Sequence, residues 1–458
     1  MTQDITFSSA GDLAASIKAR RVSATEVLDA HLRQIDACNP SLNAVVTIDA
    51  ERARADAKAA DEAIARGDSI GPLHGVPFTL KDAFATKGMR TTVGFAPFDH
   101  VPTIDSTVAA RLKNAGAILV GKTNVPVLLA DYQTSNPIFG RTNNPWNVAR
   151  TPGGSSGGAA AAVATGMTPF EIGTDLSGSI RVPAHFCGVF GLKPTEHRVS
   201  LNGVVPVPQG GPRPVRIMSC VGPMARSADD LGLLLSIIAG PDPGDTDVDP
   251  VPLGDFSAVE AKGLRIAFAP TIGQLSVSNA IRGALETVAR RLESAGAIVE
   301  EATLPALDFI DDLKQAGALI PKMTSAFSPG PDNPKASLAE YLTALDRRDR
   351  SIGAWEAFFQ RWDALLCPPA ITTAFPHLNP GAPLEVDGRQ EQYFSLGAHT
   401  TLFNYSGHPG IVVPSGVMDG DLPIGVQLVG RWWSEARLIG IAKTLTEMTG
   451  GFRRPPGI

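Results

Sequence analysis

Apolar residues recur at helical spacing in the first part of the chain, which favours N-terminal helices. Ser23 and Glu26 form a capping box, in which the two side chains satisfy backbone N–H groups at the start of a helix. Apolar positions with helical spacing follow it: Val27, Leu28, Leu32 and Ile35. A second helix is predicted over 51–66, because this stretch is rich in alanine and charged residues and stops at a glycine.

Further along the chain, helical patterns alternate with short apolar strands. Ser106 can cap a helix that ends near Asn114, and Gly116 separates this helix from the apolar strand 117–120. The same order returns in the second half of the chain, with strand 264–269, helix 278–295 and strand 297–300. Helices that alternate with short strands predict an α/β protein with a largely parallel or mixed β-sheet.

Two segments have no clear periodicity. Residues 240–252 are acidic and rich in proline, which fits either a linker between domains or a surface loop. Residues 305–395 contain several prolines, and we expect this segment to form the variable wall of a substrate site. Length alone allows two or three domains in 458 residues, although large α/β enzymes often form one.

The charge of the chain argues against polyanionic partners. The formal net charge is −6 at pH 7, and no stripe or tail of lysine and arginine residues stands out. We therefore expect no nucleic acid and no membrane as a partner, and a small-molecule substrate fits better. The longest apolar run, 231–239, is too short for a bilayer, which needs about 20 residues. Because the N-terminal sequence also lacks the pattern of a signal peptide, we expect a cytoplasmic protein.

The cysteines stand alone in the sequence, without the C-x-x-C spacing or the neighbouring histidines of a zinc site. We expect free and mostly buried thiols, as in a reducing compartment. These residues are Cys38, Cys187, Cys220 and Cys367.

Residues 116–123 match the phosphate-binding P-loop pattern, G-x-x-x-x-G-K-[ST]. A phosphate cradle needs a flexible loop after a strand, with its backbone N–H groups turned inward. Here the four variable positions are Ala-Ile-Leu-Val, which is typical of the strand itself, and Pro126 disfavours a helix after the motif. Nucleotide binding is therefore not expected.

Residues 153–157 match G-x-S-x-G, the nucleophile elbow of α/β-hydrolases, with Ser155 at the centre. That elbow follows a strand directly, whereas residues 143–152 form a segment rich in polar residues and proline. Histidines lie downstream, so a Ser155-based, α/β-hydrolase-like esterase stays open as an alternative. They are His185, His197, His377, His399 and His408.

Three segments carry the candidate chemistry. They are 75–82 with Lys81, 151–158 with Ser155, and 173–181 with Ser179. A single Gly/Ser-rich segment is usually a loop that joins helices and strands. Glycine also lets backbone and ligand approach closely, so such loops are candidate walls of a site.

In order and spacing these segments resemble the amidase signature family. Ser155 and Ser179 lie 24 residues apart (179 − 155), as the family's two serine motifs do. Gly-Lys-Thr-Asn at 121–124 is itself a family motif, which explains the near match to a P-loop. The resemblance covers 71 to about 230 and resumes at 362–368, 407–414 and 422–430.

The resemblance implies a single α/β domain over 1–458, with a central, mostly mixed β-sheet flanked by helices. Its parts would be N-terminal helices over 1–70, a catalytic signature core over 71–230 and a variable substrate-site segment over 305–395. The family needs no metal and no organic cofactor. A homodimer is the default expectation for the oligomeric state.

The resemblance also implies catalytic roles. Ser179 would be the nucleophile, Ser155 would pass its proton on, and Lys81 would be the base. A lysine has an ordinary pKa of about 10.4 and must be neutral to accept a proton, so it needs burial away from water. Apolar neighbours suit that burial: Val76, Phe78 and Leu80. The cis peptide bond of the family would fall at Gly154–Ser155.

An oxyanion hole is implied for the backbone N–H groups of Leu176, Ser177, Gly178 and Ser179. The family commonly has glycine at position 177, where this chain has serine. The serine can narrow the pocket or hydrogen-bond a substrate, or the turn can simply tolerate it, and these alternatives stay open.

Further residues near the motifs have implied roles. Leu129 stands where the family lines its acyl pocket and is therefore a candidate substrate contact, followed by Tyr132 and Gln133. Asp175 and Arg181 flank the nucleophile. We expect structural pairing for both rather than catalysis, because buried charges need a partner.

The sequence thus predicts an amidohydrolase that cleaves a carboxamide to a carboxylic acid and ammonia or an amine. Besides the Ser155-based esterase, two alternatives stay open. One is a glutaminase-type A subunit of a tRNA-dependent amidotransferase, which would act only with partner subunits. The other is a member of the family that binds a ligand without catalysis. The presence of all three triad residues argues against it. Which amide is cleaved does not follow from the sequence.

Overall fold

A computed structural model of the chain describes residues 4–204, 213–325 and 335–458. In these ranges the α-helices are α1 (Ala10–Lys18), α2 (Ala24–Leu42), α3 (Ala50–Arg66), α4 (Thr107–Asn114), α5 (Gly157–Ala164), α6 (Arg181–Cys187), α7 (Ala228–Ile238), α8 (Asn279–Ser294), α9 (Phe309–Thr324), α10 (Leu338–Phe359), α11 (Ala398–Tyr405) and α12 (Glu435–Thr449). The strands are β1 (Val45–Ile48), β2 (Pro77–Lys81), β3 (Ile118–Thr123), β4 (Ser135–Asn136), β5 (Gly140–Arg141), β6 (Phe170–Asp175), β7 (Phe190–Lys193), β8 (Cys220–Ala225), β9 (Arg265–Phe268), β10 (Ile298–Glu301), β11 (Ala364–Cys367), β12 (Leu384–Val386), β13 (Arg389–Glu391), β14 (Gly410–Asp419) and β15 (Leu422–Val429).

Helix α2 begins after the predicted capping box, and α3 begins one residue earlier than predicted and ends at the predicted residue. Ser23 and Glu26 make both hydrogen bonds of the capping box at the start of α2, and the four predicted apolar positions of that helix are buried. Helix α3 ends where Gly67 takes a left-handed conformation, which glycine adopts without steric cost. Helices α2 and α3 pack against each other and contact the sheet that contains β2 and β3.

The alternation of helices and strands after residue 70 is also confirmed. Ser106 caps α4, and strands β9 and β10 flank α8 as predicted. Strand β3 begins one residue later than predicted and continues to Thr123. Every residue of β3 is buried, so the P-loop-like segment is a strand and not a phosphate loop.

Eight strands form the large sheet, in the order β10-β9-β11-β15-β14-β7-β8-β6. The pairs β10–β9 and β9–β11 are parallel, and the other five pairs are antiparallel. The expected mixed sheet is therefore confirmed. Helices pack against its strands and bury their apolar faces in the core: α6, α7, α8 and α12.

The acidic segment 240–252 is a surface loop of a single α/β domain. Asp242 accepts hydrogen bonds from the hydroxyl groups of Thr107 and Ser200, both at 2.5 Å. Asp245 accepts one from the backbone N–H of Leu201 at 2.7 Å. These bonds attach the loop to its neighbours, which a linker between two domains would not need.

Segment 305–395 contains the two helices α9 and α10, which its weak periodicity does not reveal. Pro321 lies inside α9, and proline is uncommon in a helix interior. Residues 326–334 of this segment lie outside the described residues. Whether the segment forms the wall of a substrate site stays a prediction.

The cysteines are free, as predicted; three are buried and Cys38 is half-buried. In the described ranges, no helix has both the length and the apolar character that crossing a bilayer requires.

The small sheet has the order β1-β3-β2, with β2 and β3 parallel. Its edge strand β2 packs against β6, the edge strand of the large sheet. The rings of Phe78 and Phe170 stack across this contact, with their centroids 5.5 Å apart. Lys81 ends β2 and Asp175 ends β6, so the contact between the sheets brings two of the candidate motifs together.

Candidate active site

The side chain of Lys81 is fully buried at the end of β2. Its Nζ atom lies 2.8 Å from three hydroxyl oxygens, those of Ser155, Ser156 and Thr174. The apolar neighbours that the sequence suggests for its burial are also buried: Val76, Phe78 and Leu80. In the described part of the chain, Lys81 forms no ion pair.

Burial lowers the pKa of Lys81 to about 7, while the negative charges of Asp175 and Glu171 act in the opposite direction. Near neutral pH, a substantial fraction of this amine is therefore uncharged. An uncharged amine that contacts a hydroxyl group can take up a proton, as a general base must.

Ser155 lies in the loop that leads into α5, and the peptide bond between Gly154 and Ser155 is cis, as the resemblance implies. Helix α5 is wholly buried and begins with two glycines. A Cβ atom at Gly158 would lie 2.5 Å from the backbone nitrogen of Asn124, so the close packing of α5 requires glycine there. The loop thereby holds the Ser155 hydroxyl against Lys81.

The sequence argument misses two of the three groups that contact the lysine. Ser156 directly follows Ser155, and Thr174 directly precedes Asp175. Both stand inside the serine motifs, so an additional hydroxyl residue in each motif is the signal that points to them. Their side chains complete the set of oxygens around Lys81.

Ser179 lies in the turn between β6 and α6. The N–H of Ser156 donates a hydrogen bond to the Ser179 carbonyl oxygen at 3.1 Å, which holds this turn against the Ser155 loop. Exposure increases from Lys81 at 0% through Ser155 at 1% to Ser179 at 7%, so Ser179 is the outermost of the three. Among the described residues its hydroxyl has no hydrogen-bond partner.

Asp175 determines which N–H groups of the turn stay free. Its carboxylate accepts hydrogen bonds from the N–H of Gly178 at 2.8 Å and from that of Ile180 at 3.0 Å. The Gly178 amide is therefore occupied, and we remove it from the expected donors of an oxyanion hole. In the described chain the turn has three further N–H groups without a hydrogen-bond partner, those of Leu176, Ser177 and Ser179.

Ser177 occupies the usual glycine position without a positive φ angle, so the backbone of the turn tolerates serine. Its carbonyl oxygen accepts hydrogen bonds from the hydroxyl groups of Tyr132 at 2.9 Å and Thr400 at 3.1 Å. Its side chain is half-buried and has no hydrogen-bond partner in the described ranges. The Ser177 hydroxyl is therefore free to contact a substrate.

Asp175 and Arg181 form a fully buried ion pair at 2.9 Å, which confirms the predicted structural pairing. Burial acts to raise the pKa of Asp175, but the charge of Arg181 prevails and lowers it well below its usual value. Asn404 donates to Asp175 at 3.0 Å, and Gln427 accepts from Arg181 at 2.8 Å. Neither amide stands near the pair in the sequence, so no local signal could have found them.

The three candidate substrate contacts lie in different surroundings. Leu129 is half-buried against the largest hydrophobic cluster and has a positive φ of 62°; its contact with substrate stays a prediction. Tyr132 reaches the turn through its hydrogen bond to Ser177. Gln133 exchanges two hydrogen bonds, both at 2.9 Å, with the backbone of Leu378 and so attaches segment 305–395 to this region.

The surroundings of Ser155 differ from a nucleophile elbow. Residues 142–154 are all described and contain no strand, whereas the elbow follows a strand directly. The described partner of the Ser155 hydroxyl is a lysine. Within the described residues, no group of three or more His, Cys, Asp or Glu side chains is placed to hold a metal ion.

Comparison with known proteins identifies the family of the chain. The family model described as amidase matches residues 26–326 and 322–439, which is most of the chain. The chain belongs to the amidase signature family. It is a hydrolase that acts on linear amide C–N bonds, as its structural neighbours are.

Relatives in the amidase signature family match the chain over almost its whole length. The A subunit of the glutamyl-tRNA(Gln) amidotransferase of Synechococcus sp. (strain CC9605) is 35% identical, over 96% of each chain. A solved structure of a vestigial protein complex related to an s-triazine catabolic enzyme has a TM-score of 0.85 at 30% identity, covering 97% of this chain and 99% of that one. A bacterial aryl acylamidase of the same family has a TM-score of 0.84 at 26% identity, covering 97% and 96%.

Proposed function

We propose that the chain hydrolyses a carboxamide to a carboxylic acid and ammonia or an amine, through an acyl-enzyme on Ser179. Ser155 and Lys81 complete the triad. The observation that carries the proposal is the buried amine of Lys81, 2.8 Å from the Ser155 hydroxyl oxygen and without a carboxylate partner in the described chain. A lysine that is kept away from water and has no carboxylate bound to its amine loses its proton more easily and is a good proton acceptor.

In the proposed acylation, the Ser179 oxygen attacks the carbonyl carbon of the amide and forms a C–O bond. Its proton passes to the Ser155 oxygen, whose own proton passes to Lys81. The C–N bond then breaks, and the proton held by Lys81 returns through Ser155 to the leaving nitrogen. In deacylation a water molecule attacks the acyl carbon, gives its proton to the same relay, and releases the acid and the Ser179 hydroxyl.

The negative charge that develops on the carbonyl oxygen must be stabilised by hydrogen-bond donors in fixed positions. The free N–H groups of Leu176, Ser177 and Ser179 support an oxyanion hole, because they belong to one turn and already lack partners. Asp175 would act on this turn indirectly, since it binds the Gly178 N–H between them.

The proposed mechanism predicts that activity depends on pH, and the direction of the change follows from the protonation of Lys81. Below its pKa of about 7, Lys81 is protonated and cannot accept a proton; above it, the amine is neutral. The kcat/KM value for amide hydrolysis should therefore rise as the pH increases through about 7.

A second candidate function is the glutaminase role in an amidotransferase. The Synechococcus relative at 35% identity is the A subunit of a glutamyl-tRNA(Gln) amidotransferase. Under this candidate the amide would be glutamine, and the chain would act with partner proteins.

The surroundings of the turn favour a neutral amide over glutamine. Leu176 packs against an apolar cluster that contains Met218 and Tyr405, and the groups bound to the Ser177 carbonyl are neutral hydroxyls. Asp175 and Arg181 neutralise each other. Free glutamine carries an ammonium and a carboxylate group, which need opposite charges when they leave water.

The activity of the purified chain without partner proteins distinguishes the two candidate functions. We expect the chain to release amine or ammonia from simple aryl or aliphatic amides, and Ser179→Ala to lose this activity on every amide tested. Turnover of glutamine alone, and only after partner proteins are added, would support the amidotransferase candidate instead. Normal amide hydrolysis by Ser179→Ala would contradict both.

A further inference from the structure

A buried carboxylate, Glu171, lies behind the candidate base at the contact between the two sheets. It is the second residue of β6 and is 0% exposed. Its Oε2 atom accepts hydrogen bonds from the backbone N–H of Lys81 at 3.1 Å and of Ile172 at 3.0 Å. Its Oε1 atom accepts one from the hydroxyl of Thr123 at 2.9 Å.

The position of this carboxylate follows from the sheet topology. Strand β2 is an edge of the small sheet, so alternate N–H groups on its outer side have no strand to pair with. The N–H of Thr79 binds the Thr168 hydroxyl at 3.1 Å, and the next one, that of Lys81, binds Glu171. Thr123, which also binds Glu171, is the residue of β3 paired with Lys81. The carboxylate therefore binds both Lys81 and Thr123, the paired residues at the ends of β2 and β3.

Glu171 has no cation bound to it in the described chain. A buried carboxylate without a cation is costly, and apolar residues would fill the space between two sheets at lower cost. A structural role alone needs only hydrogen-bond acceptors, which a neutral side chain also supplies. Burial accordingly raises the pKa of Glu171 to about 7, so its carboxyl group is charged only at and above neutral pH.

We propose that Glu171 is a positioning residue for Lys81, which fixes its backbone between the two sheets through the hydrogen bonds to Lys81 and Thr123. This inference rests on the proposed role of Lys81 as the base. Glu171 does not contact the hydroxyl groups around the amine, so it acts through Lys81 and not on the substrate.

The charged side chains near Lys81 lie on several elements. Asp82 follows Lys81 on the chain, Lys122 lies on β3, and Asp175 on β6 is paired with Arg181 on α6. The loop with Ser155 and Ser156 contributes hydroxyl groups only. Asp175 and Glu171 act to raise the pKa of Lys81 when they are ionised, and Glu171 is ionised only at and above a pH of about 7.

The test is the pH profile of kcat and kcat/KM for Glu171→Gln. The variant keeps the shape of the side chain and removes the charge that Glu171 carries only in the upper part of the acid limb. We therefore expect the acid limb of kcat/KM to move to lower pH by less than about half a unit. We also expect the plateau of kcat at high pH to fall by about tenfold with KM unchanged, because the base is held less firmly.

The matched control is Asp230→Asn. Asp230 is also a buried carboxylate that accepts two backbone N–H bonds, from Ala10 at 2.9 Å and Gly11 at 3.1 Å, but it lies on α7 away from Lys81. We expect this control to lower the resistance to unfolding and to leave the acid limb in place.

Thr123→Val tests the same inference if Glu171→Gln does not fold. It removes one of the hydrogen bonds that hold Glu171 and leaves the carboxyl group, so the plateau of kcat at high pH should fall in the same direction by a smaller factor. A kcat plateau that stays at the wild-type value in the folded variant overturns the inference while the proposed function stands. A wild-type profile without an acid limb near pH 7, together with full activity of Lys81→Met, overturns both this inference and the proposed function.

Discussion

At the scale of single residues, the chain contains two buried lysines on adjacent strands, and their partners differ. Lys81 contacts the hydroxyl groups of the serine motifs, whereas Lys122 donates to the carbonyl oxygen of Phe84 at 2.5 Å and to Thr91 at 3.2 Å. Burial lowers the pKa of Lys122 to about 8, close to the value of about 7 for Lys81. Burial alone therefore does not distinguish a base from a structural lysine; contact with Ser155 does.

The two lysines form a matched pair of variants. We expect Lys81→Met to lower turnover by about a thousandfold, because loss of a general base costs a factor of this order. Lys122→Met should keep most of its turnover and lose about 1–3 kcal/mol of unfolding free energy, because the Phe84 carbonyl loses its partner. Turnover at saturating amide and urea unfolding measure the two effects. Equal losses of turnover in both variants would contradict the assignment of the base.

The motifs predict the three triad residues but not the groups that hold them. Lys81, Ser155 and Ser179 stand in recognisable segments, and the predicted burial of the lysine is confirmed. Glu171 is an acidic residue inside an apolar strand, and no pattern along the chain tells which backbone N–H it binds. Such a contact depends on how two sheets meet, which local sequence does not encode.

At the scale of elements, the turn between β6 and α6 is determined by the groups around it. Gly178 has a φ of 111°, and a Cβ atom there would lie 2.3 Å from the hydroxyl oxygen of Thr400. The Asp175 carboxylate holds the Gly178 N–H from the other side. The turn therefore has one conformation, in which the neighbouring N–H groups stay free.

Gly178→Ala should shift this turn and lower kcat by about a hundredfold, comparable to the loss of one oxyanion donor. The control is Gly283→Ala in the middle of α8, where an added Cβ meets nothing within 4 Å. It should gain about 0.5–1 kcal/mol of stability, because alanine is the better helix former. Steady-state kinetics and urea unfolding of both variants test this. An unchanged kcat in Gly178→Ala would show that the turn does not place the donors.

Helix starts were predictable where a capping serine precedes regular apolar spacing, as in α2, α4 and α8. Helix α10 also begins with a complete capping box, at Ser337 and Glu340, but the irregular pattern around it conceals the helix. Strand positions were predictable from short apolar runs, whereas strand partners were not. In the large sheet, β7 pairs with β14, which is more than 200 residues away in the chain.

At the scale of the whole molecule, the end of the chain completes the middle of the large sheet. Strands β14 and β15 lie between β11 and β7, and α12 packs on β14. The candidate catalytic motifs lie at the end of β2, in the loop before α5 and at the end of β6, and β6 lies on the other side of β7 from β14. The signature segment 71–230 therefore depends on strands that lie outside it.

A fragment of residues 71–230 should not fold on its own. Without β14, strand β7 becomes an open edge, and the apolar residues that face α12 and β15 are exposed to water. Hydrogen exchange of the fragment should show no protected amides in β6, β7 and β8, in contrast to the full chain. Protected amides in these strands would mean that the segment is an independent domain.

The proposed triad requires that Ser179, and not Ser155, carries the acyl group. Mass spectrometry of the wild-type chain, after reaction with a fluorophosphonate probe and digestion, tests this most directly. We predict one covalent adduct on Ser179, formed much more slowly in Lys81→Met. An adduct on Ser155 with Ser179 unmodified would contradict it and would favour the elbow mechanism instead.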